Sequence, residues 1–241
     1  RADATPDLPM LADEHGRTLT WSEFRAEAER TAAGLVELGI GSGSVVSWQL
    51  PTRISTIVLS LALARLGAVQ NPIIHLYRER EVGSLLRSTG ATWFAHPGVW
   101  RGFDHAAMAA DIADRLAVTA PDRDPLSLLD CSSVLPTGDP AVLPPPPADG
   151  DAVRWLYSTS GTTSEPKAVC HTDATLIAGG TGIADALQTA PPDTHALPGG
   201  TDHGQDGAEH GHHAGGPHQG HGPDEHAGDH PNAHASGAPT E

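Results

Sequence analysis

The side chains best suited to binding phosphate lie together near residue 160. The stretch from Tyr157 to Lys167 reads Tyr-Ser-Thr-Ser-Gly-Thr-Thr-Ser-Glu-Pro-Lys. Glycine lets successive backbone N–H groups converge on an anion, hydroxyl groups donate to phosphate oxygens, and lysine adds a point charge. Lys167 is the only lysine among the 14 basic residues of the chain. We therefore predict a phosphate-binding loop whose contacts come from Thr159, Ser160, Gly161, Thr162, Thr163 and Lys167.

The loop differs from the Walker A phosphate loop, because Glu165 and Pro166 stand where that motif has a glycine directly before the lysine. An ordinary surface loop rich in Ser, Thr and Gly would have the same composition. Composition alone therefore leaves both interpretations open, and it identifies no catalytic residue.

Strand and helix patterns alternate along the first 188 residues. A hairpin is predicted from Met10–Ala12 and Thr18–Thr20, and Thr20 with Glu23 forms a capping box that begins a helix ending at Gly39. Further strands are predicted at Val45–Leu50, Ala68–Ile74, Ala91–Ala95 and Val153–Tyr157, and further helices at Thr52–Leu66, Arg78–Ser88, Ala106–Leu116 and Thr172–Leu187. Residues 119–150 have a turn-rich composition. The alternation indicates an α/β fold with a layered parallel sheet.

The composition changes abruptly at about residue 188. Residues 189–241 contain ten of the 15 histidines, and Leu197 is their only sizeable apolar side chain. Such a segment cannot bury enough apolar surface to offset the entropy that it would lose on ordering. We therefore predict a globular domain at 1–188 and a disordered tail rich in His, Gly and Pro at 189–241.

The charge of the chain argues against nucleic acid as its partner. Residues 1–188 carry 14 basic and 22 acidic residues, and residues 189–241 carry eight acidic and no basic residues. An acidic chain without a basic stripe does not attract a polyanion or an anionic membrane surface.

The sequence has no apolar run long enough to span a bilayer. Cys131 and Cys170 lack paired spacing and are expected to be buried, reduced thiols, which is typical of a cytoplasmic protein.

The order of the loop residues resembles a known family. Thr159-Ser160-Gly161-Thr162-Thr163, followed by Pro166-Lys167, is similar to the signature loop of the AMP-forming adenylating enzymes, among them acyl-CoA synthetases, adenylation domains and luciferases. Ser164 and Ala168 replace two glycines of the family pattern. Upstream, Leu19–Phe24 resembles the family's first helix with its preceding strand, and Leu61–Asn71 resembles a buried helix running into the next strand. The resemblance covers roughly residues 8–187.

This resemblance implies an ATP-dependent ligase that joins a small carboxylic acid to CoA. In the family, the carboxylate attacks the α-phosphate of ATP with the help of Mg²⁺, pyrophosphate leaves, and the CoA thiol then displaces AMP. The loop would hold the β- and γ-phosphates. The family's adenine site, ribose-binding aspartate, Mg²⁺-ligating glutamate, hinge and second lysine lie downstream of the loop, and nothing in 188–241 resembles them. We therefore expect the N-terminal part of such an enzyme, incomplete for catalysis.

The histidine-rich tail supports an alternative hypothesis. Imidazoles such as those of His210, His212 and His213 bind Zn²⁺, Ni²⁺ or Cu²⁺, so the chain could be a non-catalytic metal-binding protein that uses its tail. The tail could equally be an out-of-frame translation of GC-rich DNA, which yields the same residue types. Within residues 1–188 no metal site is assigned.

Several other side chains receive structural or minor roles. Trp21, Trp48, Trp93 and Trp155 are expected to fill the core, and His75, His96 and His105 lack partners at ligand spacing. His171 lies four residues after Lys167, which makes it a candidate for contact with substrate.

Overall fold

A computed structural model describes residues 1–159 and 167–188 of the chain. The strands in this part are β1 (Pro9–Ala12), β2 (Thr18–Thr20), β3 (Val45–Trp48), β4 (Val69–Pro72), β5 (Trp93–His96), β6 (Val99–Trp100), β7 (Phe103–Asp104), β8 (Ser127–Asp130), β9 (Val153–Thr159) and β10 (Lys167–Thr172). The α-helices are α1 (Trp21–Glu37), α2 (Ile54–Leu66), α3 (Glu79–Thr89), α4 (His105–Thr119) and α5 (Asp173–Ala186), and a short 3-10 helix covers Pro140–Val142.

The central sheet confirms the α/β prediction. Its six strands lie in the order β10-β9-β4-β3-β5-β8, and every neighbouring pair is parallel except β10 with β9. Two small antiparallel hairpins, β1–β2 and β6–β7, stand apart from this sheet. In the described part of the chain, no helix combines the length and apolar character needed to cross a bilayer.

Local sequence signals determine where the first helix begins and ends. The Glu23 backbone N–H donates to Thr20 Oγ1, and the Thr20 backbone N–H donates to Glu23 Oε2, as the capping box predicts. This bond from the Thr20 amide lowers the pKa of the Glu23 carboxyl. The chain turns away after α1 at Gly39, whose φ of +89° suits glycine.

Apolar clusters cover the two faces of the sheet. Successive side chains of a strand point to opposite faces. Ala95 packs in a cluster with Leu35 of α1 and Leu63 of α2, whereas its neighbour Phe94 packs with Leu85 of α3 and other side chains of α3 and α4. The sheet is therefore a middle layer between the helix pair α1–α2 and the helix pair α3–α4.

Several expectations from the sequence need correction. Residues 119–150 contain β8, which is half exposed at the sheet edge and therefore lacks a continuous apolar run. The four tryptophans expected in the core are only partly buried, and Trp100 is the buried one, at 8% exposure. Both cysteines are free, but Cys170 is exposed because it lies on the edge strand β10.

Candidate functional site

The candidate phosphate loop joins β9 to β10. β9 ends at Thr159, β10 begins at Lys167, and these residues are Cα partners in the antiparallel ladder. Directly opposed residues in such a ladder have Cα atoms about 4.5 to 5.5 Å apart. The fold thus brings the two ends of the predicted loop together. The other predicted contacts, Ser160, Gly161, Thr162 and Thr163, lie outside the described residues.

The loop leaves the sheet at the carboxyl edge of its parallel strands. β9 runs parallel to β4, and β4 runs parallel to β3. Their last residues, Thr159, Pro72 and Trp48, therefore lie at the same edge. Open α/β sheets bind their ligands at this edge.

Asn71 of β4 attaches β9 to the centre of the sheet. Its side chain is fully buried, and Nδ2 donates to the Leu156 carbonyl oxygen at 2.6 Å. Its Oδ1 accepts a hydrogen bond from Ser47 Oγ of β3 at 3.0 Å. Because Leu156 lies three residues before Thr159, this amide fixes the strand that leads into the loop.

Asp173, the first residue of α5, attaches that helix to β9. Asp173 Oδ1 accepts from Trp155 Nε1 at 2.8 Å, and Oδ2 lies 3.4 Å from Arg154 Nε. Arg154 is buried, at 6% exposure, and its Nη2 donates to the Asp149 carbonyl oxygen. A carboxylate in the first turn of a helix is also favoured by the helix dipole. Both strand and helix are therefore held beside the loop by one charged cluster.

Aromatic side chains line one face of this hairpin. The rings of Trp155 and Tyr157 stack with centroids 6.1 Å apart, and His171 of β10 meets Tyr157 edge to face at 5.6 Å. Burial raises the pKa of the Tyr157 hydroxyl. His171, the candidate substrate contact, is thus held against Tyr157.

A second buried group organises the segments that follow β3 and β4. Gln49 is fully buried, and its Nε2 donates to the carbonyl oxygens of Ile74 and Tyr77. Its Oε1 lies 3.1 Å from His105 Nδ1, which assigns the proton of a neutral His105 to that nitrogen. Burial, with the nearby Arg78 guanidinium, lowers the pKa of His105 to about 4. His105 is therefore a structural, neutral imidazole.

Sequence analysis missed two side chains beside the loop, Asn71 and Asp173, and gave no role to Ser158 within it. Asn71 lies in the predicted strand Ala68–Ile74 and Asp173 in the predicted helix Thr172–Leu187, and the sequence shows no partner for either. Ser158 Oγ is buried and has no hydrogen-bond partner among the described residues. A buried hydroxyl one residue before Thr159 is available to the loop or to a bound ligand.

The chain belongs to the AMP-binding enzyme family. The profile of that family matches residues 1–204, which is most of the chain. The match confirms the resemblance that the loop and the upstream segments indicated. The relatives that the comparisons found are largely acid–CoA and acyl-adenylate ligases.

Three relatives show how much of such a protein the chain contains. The sulfoacetate–CoA ligase of Cupriavidus necator is 32% identical over 195 residues, which are 80% of this chain and 37% of the relative. The inhibitor-bound N-terminal domain of FACL13 from Mycobacterium tuberculosis is 26% identical, with a TM-score of 0.62, over 76% of this chain and 45% of that chain. The o-succinylbenzoate CoA synthetase of Bacillus subtilis, solved with ATP and magnesium ion, is 18% identical with a TM-score of 0.63 and covers 78% and 46%.

The chain therefore spans less than half the length of these relatives. The comparisons give no support to the alternative hypothesis of a metal-binding protein. The tail on which that hypothesis depends lies outside the described residues.

Proposed function

We propose that this chain is the N-terminal part of an ATP-dependent, AMP-forming carboxylic acid–CoA ligase and binds ATP phosphates through the loop at 158–168. The observation that carries the proposal is the position of the loop. A stretch of hydroxyl groups, glycine and the only lysine of the chain joins β9 to β10 at the carboxyl edge of the parallel sheet.

The loop would act on the pyrophosphate end of the nucleotide. Hydroxyl groups of Thr159, Ser160, Thr162 and Thr163 would donate to phosphate oxygens, Gly161 would allow close approach of the backbone, and Lys167 would supply the cation. When a carboxylate attacks the α-phosphate, negative charge grows on the departing pyrophosphate, and donors placed beforehand stabilise it. Mg²⁺, when bound, would neutralise part of the same charge.

The same proposal holds that residues 1–241 do not complete catalysis. Lys167 is the only lysine, so no second lysine can assist adenylation, and residues 188–241 do not resemble the family's adenine, ribose or hinge segments. Binding of ATP phosphates and turnover are therefore expected to separate in this chain. The acid substrate and the CoA thiol would meet groups that these residues do not provide.

Binding of Mg²⁺–ATP by isothermal titration calorimetry tests the first part. Lys167→Ala should weaken binding by about tenfold or more, because a hydrogen bond to a charged group contributes roughly 1.5–3 kcal/mol. Lys167→Arg keeps the charge and should retain most of the affinity. Inorganic triphosphate should compete with ATP, whereas adenosine should not. Equal affinity of the Ala variant and the parent chain would refute the loop assignment.

Exchange of radiolabelled pyrophosphate into ATP tests the second part. With a panel of aliphatic and aromatic carboxylic acids, we expect no exchange above background. Robust exchange with any acid would show that the chain completes adenylation, and the proposal of incompleteness would be wrong even if the loop binds ATP as expected.

A further inference from the structure

Asp149 and Gly150 form a peptide link whose chemistry the candidate site does not use. They lie between the 3-10 helix and β9, and both residues are exposed. An aspartate carboxyl reacts with the next backbone nitrogen most readily when that nitrogen belongs to glycine, which has no side chain to block the approach. The sequence has one other such pair, Asp206–Gly207, which lies outside the described residues.

The Asp149 side chain is folded back over this peptide link. Its Oδ1 accepts from the Asp151 backbone N–H at 2.9 Å. This is the pattern of an Asx turn, which holds the carboxyl group beside the backbone that follows it. A Cβ atom added at Gly150 would meet nothing within 4 Å, so the backbone has room to move there. The Gly150 nitrogen and the Asp149 carboxyl carbon are therefore neighbours in the folded chain.

Other aspartates of the described residues lack one of these conditions. Asp139 precedes a proline, whose nitrogen carries no hydrogen to lose. Asp111 lies within α4, where backbone nitrogens are held in helical hydrogen bonds. Asp151 is exposed like Asp149, but it precedes Ala152, whose side chain crowds the approach. Asp151 is therefore a reference position within the same turn.

We propose that Asp149 is a site of isoaspartate formation. The Gly150 nitrogen attacks Cγ of the protonated Asp149 carboxyl and loses its proton, and the carboxyl hydroxyl leaves with a proton as water. The product is a five-membered succinimide ring. Water then opens the ring at the former Asp149 backbone carbonyl, which leaves the chain running through Cβ and Cγ. One water leaves and one enters, so no other reactant is needed.

The rearrangement would act on the start of α5. The Asp149 carbonyl oxygen accepts from Nη2 of buried Arg154 at 2.7 Å, and the Gly150 carbonyl oxygen accepts from the Ala174 backbone N–H at 3.2 Å. In the isoaspartyl chain the first carbonyl becomes a carboxylate on a side branch, and the backbone to Gly150 is longer by a methylene group. The Gly150 carbonyl oxygen therefore moves away from Ala174, and the first turn of α5 loses this attachment. The proposal does not depend on ATP binding by the loop.

Peptide mapping of the intact 241-residue chain tests the site. After incubation in warm, mildly acidic buffer, isoaspartate is measured with protein isoaspartyl methyltransferase and radiolabelled S-adenosylmethionine, and electron-transfer fragmentation locates it. We expect isoaspartate to accumulate at Asp149 at least about tenfold faster than at Asp151, which corresponds to ~1.4 kcal/mol in the barrier. No isoaspartate at Asp149, or equal rates at the two positions, would overturn the proposal.

Two variants separate the chemistry from the fold. Gly150→Ala should fold normally, because its Cβ meets nothing within 4 Å, and it should slow the reaction by about tenfold. Asp149→Asn has ammonia as its leaving group in place of water and should react faster than the parent chain. An asparagine variant that stays unchanged would show that the turn holds the two atoms apart, and the proposal would be wrong.

Hydrogen exchange at the start of α5 tests the consequence. In the aged parent chain the Ala174 amide should exchange about fivefold to tenfold faster than in fresh chain, because it has lost one hydrogen bond. The Gly150→Ala variant, aged in the same way, should show no such change. Unchanged exchange in a chain that carries isoaspartate at position 149 would refute the link to α5.

Discussion

Replacing Asn71 tests whether one buried amide holds the strand that leads into the candidate loop. Asn71 donates to the Leu156 carbonyl oxygen at 2.6 Å and accepts from Ser47 Oγ at 3.0 Å, and it is fully buried. Asn71→Asp keeps the size and the acceptor but replaces the donor with a second carboxylate oxygen. Asn71→Leu has nearly the same size and removes both hydrogen bonds.

The two variants differ in their dependence on pH. Leaving the Leu156 carbonyl unsatisfied costs about 1–3 kcal/mol. At pH 8 the aspartate variant also places a carboxylate beside that carbonyl, so its loss in free energy of unfolding should reach at least about 3 kcal/mol. Burial raises the pKa of such a carboxyl. Near pH 5 its protonated form can donate to Leu156, and much of the loss should disappear. The leucine variant has no titrating group, so its loss should be the same at both pH values.

Urea unfolding followed by tryptophan fluorescence at pH 5 and pH 8 measures these differences relative to the parent chain at each pH. Ser47→Ala is the control, because it removes only the weaker partner of Asn71 and should cost about 0.5–1.5 kcal/mol at either pH. The reasoning fails if the aspartate variant is as stable as the parent at pH 8, or if its loss does not change between the two conditions.

Two further predictions concern stability. Gly34→Ala should lower the free energy of unfolding by about 1–3 kcal/mol, because the new Cβ would lie 2.5 Å from a backbone atom of Pro136. Gly83→Ala meets no close contact and should raise the free energy of unfolding by about 0.5–1 kcal/mol. Shifts of the two urea midpoints in the same direction, relative to the parent chain, would contradict this. Burial lowers the pKa of His105 to about 4, so below about pH 6.5 the unfolded chain binds a proton that the folded chain does not. The free energy of unfolding should therefore fall as the pH drops from about 6.5 to 4, by up to about 1.4 kcal/mol per pH unit. His105→Asn, which can still donate to Gln49, should reduce that slope when unfolding is measured across this pH range.

The class of fold was accessible from the sequence because its signals are local. The capping box at Thr20 and the glycine at Gly39 depend on neighbours along the chain, and both are confirmed. The central strand β3 is apolar at three of its four positions, which makes it visible as a strand in the sequence. The sequence did not predict β8 and β10, because they lie at the two ends of the sheet, where many side chains face solvent and the apolar pattern weakens.

Only the loop of the candidate site could be predicted from the sequence. Six residues between Thr159 and Lys167 carry the phosphate-binding prediction, so no tertiary information was needed. Asn71, by contrast, meets the Leu156 carbonyl across a separation of 85 residues, and Asp173 reaches Trp155 only because β10 folds back along β9. No spacing rule links such pairs, since the fold alone brings them together.

The buried polar side chains in β3 and β4, or directly after β3, form hydrogen bonds that explain why apolar residues would not serve in their place. Ser47, Gln49, Gln70 and Asn71 are each fully buried, and each forms hydrogen bonds with other segments. Leucine at these positions would supply comparable packing, but packing is not directional. An amide fixes which carbonyl lies opposite and at what angle. Gln49 fixes the turn after β4, and Asn71 fixes β9. The sheet core therefore orients the segments around the candidate loop through hydrogen bonds, while its apolar clusters supply most of the stability.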